Sequence, residues 1–299
     1  MINAYAKYII ILLKTIYPID LIDYYIFVCL FDRYINLIIS QTLKKILITI
    51  TFLLVITFSC LAQKTYHHSV LCGRIILADT INSKIRWELY LQKRTQDAGS
   101  SNPFAAPHFF SVWPWLNYSF SKATRVSLSP IGYFDSHLFY NNLDEVKSQG
   151  VKEYRISLRV ENEQKLKLFN YANRYGLEYR MRDLKYDGNY LANWRARYML
   201  KVEKPLFNIV SKDKPLSLFL SNEVFIQFGE AVKDNPNVFD QDRINVGVSY
   251  EVVKNVKVTA SYLKILQSRI SGREFDDANA LWVILTFDNL FSQLRNDNK

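Results

Sequence analysis

The sequence predicts an all-β protein, an antiparallel up-and-down transmembrane β-barrel of about ten strands, with twelve as the alternative, behind an N-terminal export leader. Three observations predict it. Side chains alternate in character with a period of two, the alternating runs are long, and the links between them alternate in length. Period two puts successive side chains on opposite faces of a strand, whereas a helix would scatter the same residues around its circumference. Tyr and Phe, 20 and 19 in number, suit pleated half-buried surfaces better than helices. Mean hydropathy is near zero, which excludes a bundle of membrane helices but suits a barrel, whose lipid-facing and lumen-facing residues cancel.

The chain's first element is the leader. Lys44-Lys45 precede an uncharged, mostly apolar run, Ile46 to Phe58, and Ser59-Cys60-Leu61-Ala62 brings small residues just ahead of Gln63. A basic end, an apolar middle and a small-residue exit make a secretory signal at 43–62, and the run falls short of the ~20 residues that span a bilayer as a helix. Asp20, Asp23, Asp32 and Arg33 interrupt any spanning segment in 1–42, and the next methionine after Met1 is Met181. The expectation is that 1–42 is a mis-assigned start or untranslated, with translation beginning at a non-standard codon near Leu43. The mature barrel is then 63–299. Only Cys72 of the three cysteines lies in it, which excludes an internal disulfide or a cysteine metal site.

The strands are expected near 84–95, 108–121, 124–136, 150–164, 168–181, 189–203, 215–229, 242–253, 256–267 and 279–289. In the first, Ile85, Trp87, Leu89 and Leu91 alternate with Arg86, Glu88, Tyr90, Gln92 and Arg94. Tyr154, Ile156, Leu158 and Val160 alternate with Arg155, Ser157, Arg159 and Glu161. Similar runs place Arg174, Glu178 and Arg180, then Arg195, Arg197 and Glu203, then Arg243 and Glu251 on one polar face, and Glu223 joins them from 215–229. Most of these strands exceed the ~9–11 residues that cross a bilayer when tilted, whereas strands of soluble sandwiches average nearer ~5–6. Val70 to Ala78 reads as one strand more, either paired at the seam with a twelfth or packed on the periplasmic rim. Trp113-Pro114-Trp115, Tyr118 and Phe120 suggest an aromatic girdle at the membrane boundary.

Links at 122–123, 165–167 and 254–255 are tight, and those at 96–107, 137–149, 230–241 and 268–278 are long, as in outer-membrane barrels with short periplasmic turns and long outer loops; 182–188 is intermediate, and 204–214 is longer than that scheme expects. Ten strands would leave both chain ends in the periplasm. The long loops are acidic and the short links basic. Asp240, Asp242, Asp276 and Asp277 are therefore candidates to gather divalent cations beside anionic outer lipids, against the plainer reading of solvated loop charges.

The formal charge of +10 does not form a stripe or tail, so a nucleic-acid groove is not expected. A search for a nucleophile with its base finds no His-x-Ser pair along a strand; Asp135-Ser136-His137 has the right residue types, but adjacent residues alternate faces. His67-His68, at the new N-terminus, reads as a disordered end, with weak metal binding as the alternative. The mid-strand arginines and glutamates named above are instead expected to interlock inside a narrow barrel, since barrels of this size hold side chains or one small ligand.

The stretch Phe239-Asp-Gln-Asp-Arg243-Ile-Asn-Val-Gly-Val-Ser-Tyr250, then Lys254-Asn255 and Val256 to Leu263, resembles the C-terminal half of the bacterial domain-of-unknown-function family 2490, with Ser261 where glycine is expected before Tyr262. Trp194-Arg195-Ala196-Arg197-Tyr198 is similar to that family's R-x-R-Y strand, and Tyr154-Arg155 to Glu161 to its Arg/Glu strand. The resemblance runs from about Ser69 to Phe287. It implies an outer-membrane barrel and no established activity.

The expectation is thus a monomeric outer-membrane protein, structural or binding and not enzymatic, without cofactor, in contact with outer-membrane lipids. Its alternatives are a narrow channel for small anions and a lipid-modifying enzyme.

Overall fold

The computed structural model describes residues 64–141, 143–147, 150–208, 215–269 and 271–292. The expected leader, its exit before Gln63 and the alternative start lie outside these residues.

Long amphipathic runs need partners on both edges, and here every edge is paired. β1 (Lys64–Thr80), β2 (Ile85–Gln96), β3 (Ala106–Ser119), β4 (Thr124–Ser136), β5 (Val151–Lys165), β6 (Asn170–Asp183), β7 (Tyr190–Asn208), β8 (Pro215–Phe228), β9 (Phe239–Val253), β10 (Val256–Ser268) and β11 (Glu274–Phe287) close into one barrel. Neighbours in sequence pair antiparallel. The seam differs: β1 runs parallel to β11, from Lys64↔Glu274 to Leu77↔Phe287. Eleven strands, between the ten and twelve expected, make this unavoidable, because in an up-and-down barrel with an odd count the first and last strands point the same way. The stretch expected at 70–78 is the centre of β1 and is itself the seam strand, with no twelfth partner and no place on the rim.

The odd count also puts the start of β1 at the end that carries the long links and the finish of β11 at the end that carries the tight ones. The expectation of an even count, with the first strand starting and the last finishing on one side, is corrected. His67-His68, read as a disordered end, lies within β1.

Alternation then sorts the walls. Leu128, Leu158, Leu177, Leu200, Leu220, Ile244 and Val246 are exposed on the outside, while Glu153, Arg155, Arg159, Glu178, Arg180 and Arg195 are buried inside. This is a soluble protein's distribution reversed, and an exposed apolar wall of this extent is a lipid-facing surface. Near the long-link end the wall carries ring pairs: Tyr133, Tyr154 and Tyr190 in a row at 5.6 Å spacings, and Tyr179 with Trp194 at 4.9 Å. Near the other end Tyr118 and Phe120 are exposed. Trp113 and Trp115 are not part of a girdle. They point into the lumen, buried against Phe134.

Two glycines permit close approaches inside. A Cβ on Gly132 would meet Trp113 Cδ1 at 2.5 Å, so the missing side chain is what seats that indole. A Cβ on Gly247 would meet Ser261 Cβ at 2.3 Å and Ala260 O at 2.5 Å. Gly247 and Ser261 are direct partners across β9 and β10. The position where the family pattern has glycine accepts serine because the residue opposite has no side chain.

Each mouth is covered by its own chain. At the long-link end the segment after β4 turns inward. Phe139 stacks between His68 and His108, at 4.7 and 4.2 Å, and Gln96 fixes this segment through Leu138 O (2.9 Å) and Tyr140 N (3.0 Å). At the opposite end Asp79 accepts the backbone N–H groups of Phe291 (2.6 Å) and Ser292 (2.8 Å), which folds the chain after β11 onto the rim.

Candidate functional site: the charged lumen

Residues of one parity on β5, β6 and β7 face each other across hydrogen-bonded strands, so their long polar side chains meet in the interior. Glu178 receives Arg195 at 2.6 Å, Arg197 at 2.5 Å and Arg155 at 3.6 Å. Arg197 continues to Glu223 at 2.7 Å. Glu161 receives Arg174 at 2.6 Å and also bonds Arg125. Glu88 pairs with Arg86 at 3.3 Å and, from across the lumen, with Arg159 at 3.7 Å. Bidentate and shared guanidinium–carboxylate contacts of this kind are the strong ones, and truncating one partner of a buried pair is far costlier than its net worth.

Most of the fourteen charges singled out in the sequence therefore do meet. Arg180 belongs to a second cluster. Glu203, at the tight-link end, pairs with Lys201 and not with an arginine. Arg243 faces the lumen with no ion pair among the described residues, and Glu251 caps the tight turn by accepting Asn255 N at 2.9 Å.

The centre that sequence reading missed is Glu153, one of the most deeply buried carboxylates. It holds Arg180 through two bonds, at 2.7 and 2.8 Å, lies 3.5 Å from Arg182 and bonds Arg155. Its parity with Arg155, Arg159 and Glu161 was the available signal. Trp113 and Trp115 were legible in the same way, since Ser111 and Asn117 share their parity and are polar. These rings carry guanidiniums: Arg159 over Trp115 at 4.1 Å and Arg197 near Trp113 at 5.8 Å. Phe225 serves Arg243 and Arg197 at 4.6 and 4.7 Å. Such contacts contribute about 0.5–2 kcal/mol each, more when desolvated.

The four aspartates are not loop residues. They sit in the strand ends of β9 and β11 and divide between two faces. Asp240 bonds Arg195 at 3.2 Å inside, and Asp276 bonds His68 at 2.9 Å and Arg269 at 2.6 Å, also inside. Asp242 accepts Asn222 at 2.6 Å and Asp277 accepts Lys264 at 2.8 Å, both on the outer wall. Each carboxylate has a protein donor, and among the described residues no cluster of three or more His, Cys, Asp or Glu is placed to hold a metal ion.

Asp135, Ser136 and His137 point to separate partners. Asp135 accepts the Tyr186 hydroxyl at 3.0 Å, Ser136 Oγ donates to Val151 O at 3.4 Å, and His137 Nδ1 bonds the Tyr140 hydroxyl at 2.8 Å. In the link between β6 and β7, burial and the bond to Asp135 push the Tyr186 phenol up to about 12.

Space remains between the lattice members. A cavity of about 300 Å³ lies toward the tight-link end, one of about 140 Å³ lies above it, and one of about 370 Å³ lies under the long-link mouth. Arg74, Trp113, Arg197 and Arg243 border both of the first two, and Arg182 and Asp240 border both of the last two.

An apolar outer wall, a charged and largely filled lumen and full closure define a β-barrel of the transmembrane class. Residues 73–276 match the family described as Protein of unknown function (DUF2490), and the chain belongs to that family. No curated protein matches it. Among solved structures it is similar to a bacterial polysaccharide outer membrane secretin at 12% identity and TM-score 0.42, covering 69% of this chain and 64% of that one. The chain thus spans less than two thirds of that relative. It is also similar to LpxR from Salmonella typhimurium, at 10% identity and TM-score 0.46 over 71% of this chain and 86% of that one. For the NanC porin the values are 12% and 0.44, over 74% and 97%.

Proposed function

We propose that this protein is a non-enzymatic outer-membrane β-barrel, structural or binding in role, whose lumen is held shut by its own ion pairs. One observation carries the reading: side chains from strands that are not neighbours meet across the interior, Arg159 of β5 with Glu88 of β2 and Arg197 of β7 with Trp113 of β3. An open pore would keep such groups apart, each solvated. The lipid-facing wall supports membrane residence, and the long links mark the outward side. The test is conductance of the purified protein in a planar bilayer. A closed lumen gives no steady unitary steps; regular ohmic steps would overturn it.

The stacked cavities favour a second reading, a narrow channel for small anions, because the border between the lower two is built mainly of arginine, from Arg74, Arg197 and Arg243. Unitary steps with a reversal potential on the anion side would establish it in place of the first.

A further inference from the structure

Three lumen arginines make no ion pair with a carboxylate among the described residues, although Glu223 is the direct cross-strand neighbour of Arg243. Arg74 of β1, Arg94 of β2 and Arg243 of β9 all border the 140 Å³ cavity. Eight arginines line that cavity, against one acid, Asp240, which is already bonded to Arg195. The other five are served by Glu153, Glu178 and Glu223. Among the described residues Arg74 bonds only the amide oxygen of Gln92, at 3.0 Å through Nε. Among the described residues Arg94 and Arg243 have no ion-pair partner, and the Nε of each is buried without an acceptor. Arg94 is only 6% exposed.

The surplus is one of donors. Beside the two Nε groups, Gln92 Nε2, Trp113 Nε1 and Trp282 Nε1 are buried and unpartnered. All border the 140 Å³ cavity or the 300 Å³ cavity that joins it at Arg74 and Arg243. Buried donors are normally satisfied, and a buried cation without a counter-charge is strongly destabilising. A site that collects such groups around a void is complete when an acceptor with negative charge fills it. Guanidiniums match carboxylate, phosphate and sulfate oxygens with two parallel bonds.

We propose that the upper lumen is a binding site for a small organic oxyanion. Its carboxylate, phosphate or sulfate head is held by Arg74, Arg94 and Arg243, and a body of about one ring lies in the lower cavity against Trp113, Trp282 and Tyr90. The indole N–H groups give that body polar contacts, so a hydroxylated ring fits better than a hydrocarbon one. The barrel wall separates the site from the headgroups of surrounding lipid, which leaves a soluble anion as the occupant. This site rests on the binding role proposed above but not on the lumen being shut.

The experiment uses the purified barrel in a non-ionic maltoside. Indole fluorescence and calorimetry follow titration with glucuronate, with glucose as the uncharged match and inorganic sulfate as the bare head. Glucuronate is expected to bind, sulfate to compete with it, and glucose to fail. Arg94→Gln and Arg243→Gln are each expected to weaken glucuronate binding about tenfold to a hundredfold, the worth of a charge-assisted hydrogen bond. Arg125→Gln, which alters a paired arginine away from the cavity, is expected to bind as wild type. The anion-free stability of the two site variants, read as the midpoint of heat-induced loss of the compact electrophoretic form, is expected to stay level or rise, because each removes an uncompensated charge. A fall would mark the arginines as structural and overturn the proposal. So would wild-type binding of glucose as tight as glucuronate, the absence of any anion binding, or unchanged binding in the variants. Bilayer conductance run beside these titrations separates the two readings, since an open pore with arginine-dependent anion block would end the shut-lumen reading and leave the site standing.

Discussion

Replacing Glu153 by alanine removes the carboxylate that holds one end of the lattice. Arg180 loses both of its ion-pair bonds, Arg182 loses its contact at 3.5 Å, and Arg155 keeps only Glu178 at 3.6 Å. Three guanidiniums are then left close together around a carboxylate-sized space. Breaking a buried pair by deleting one partner costs about 3–5 kcal/mol. The cavities beside this cluster admit solvent and screen part of the repulsion, so the lower end, about 3 kcal/mol, is expected. Glu153→Gln keeps the shape and one acceptor, and should cost about 1.5–3 kcal/mol, the range of a hydrogen bond to a charged group. Denaturant unfolding of the barrel in lipid vesicles, followed by indole fluorescence, reads both values. Pairing Glu153→Ala with Arg180→Ala should recover part of the loss, with a coupling of about 0.5–3 kcal/mol. If Glu153→Ala stays within about 0.5 kcal/mol of wild type, the cluster behaves like surface charge and the account of the lattice as a filled core is wrong.

Other outcomes follow from the packing and the seam. Gly247→Ala forces a Cβ onto Ser261 and onto backbone, and is expected to cost about 1–3 kcal/mol by the same unfolding assay; pairing it with Ser261→Gly should restore part of this. An epitope placed just ahead of Lys64 should be labelled on intact cells and one after residue 299 should not, because the odd strand count puts the start of β1 and the finish of β11 on opposite sides; equal labelling would refute the parallel seam. Absorbance titration against Tyr186→Phe should show the loss of one tyrosine that ionises near 12. Its phenol is raised by folding, so the stability from the Asp135 bond is complete below the ordinary tyrosine range of ~10 and is lost as pH rises through about 12.

How much of the site could be read in advance depends on parity. Once Arg155, Arg159 and Glu161 are assigned inward, Glu153 follows by one step of two, and Arg74 follows likewise from its place in β1. Trp113 and Trp115 are harder. Aromatic rings suit a membrane boundary and a lumen floor equally, and only their shared parity with Ser111 and Asn117 tells the two apart. The side chains chosen for the acidic surface show the limit from the other direction. Asp276 and Asp277 are adjacent, so one must point in and one out, and a shared role for both was never compatible with a strand.

The sequence alone determined that this chain forms long two-faced strands, which of its residues share a face, and that the polar face is ionic, because a period of two is a local property of the backbone. Only the tertiary structure decided that eleven strands close with a parallel seam, that Glu153 gathers three arginines, and that Arg74, Arg94 and Arg243 are left over. Closure and pairing join residues more than 200 positions apart, as Lys64 and Glu274 are, and register between such distant strands is set by how all the side chains fit together, which no local pattern encodes.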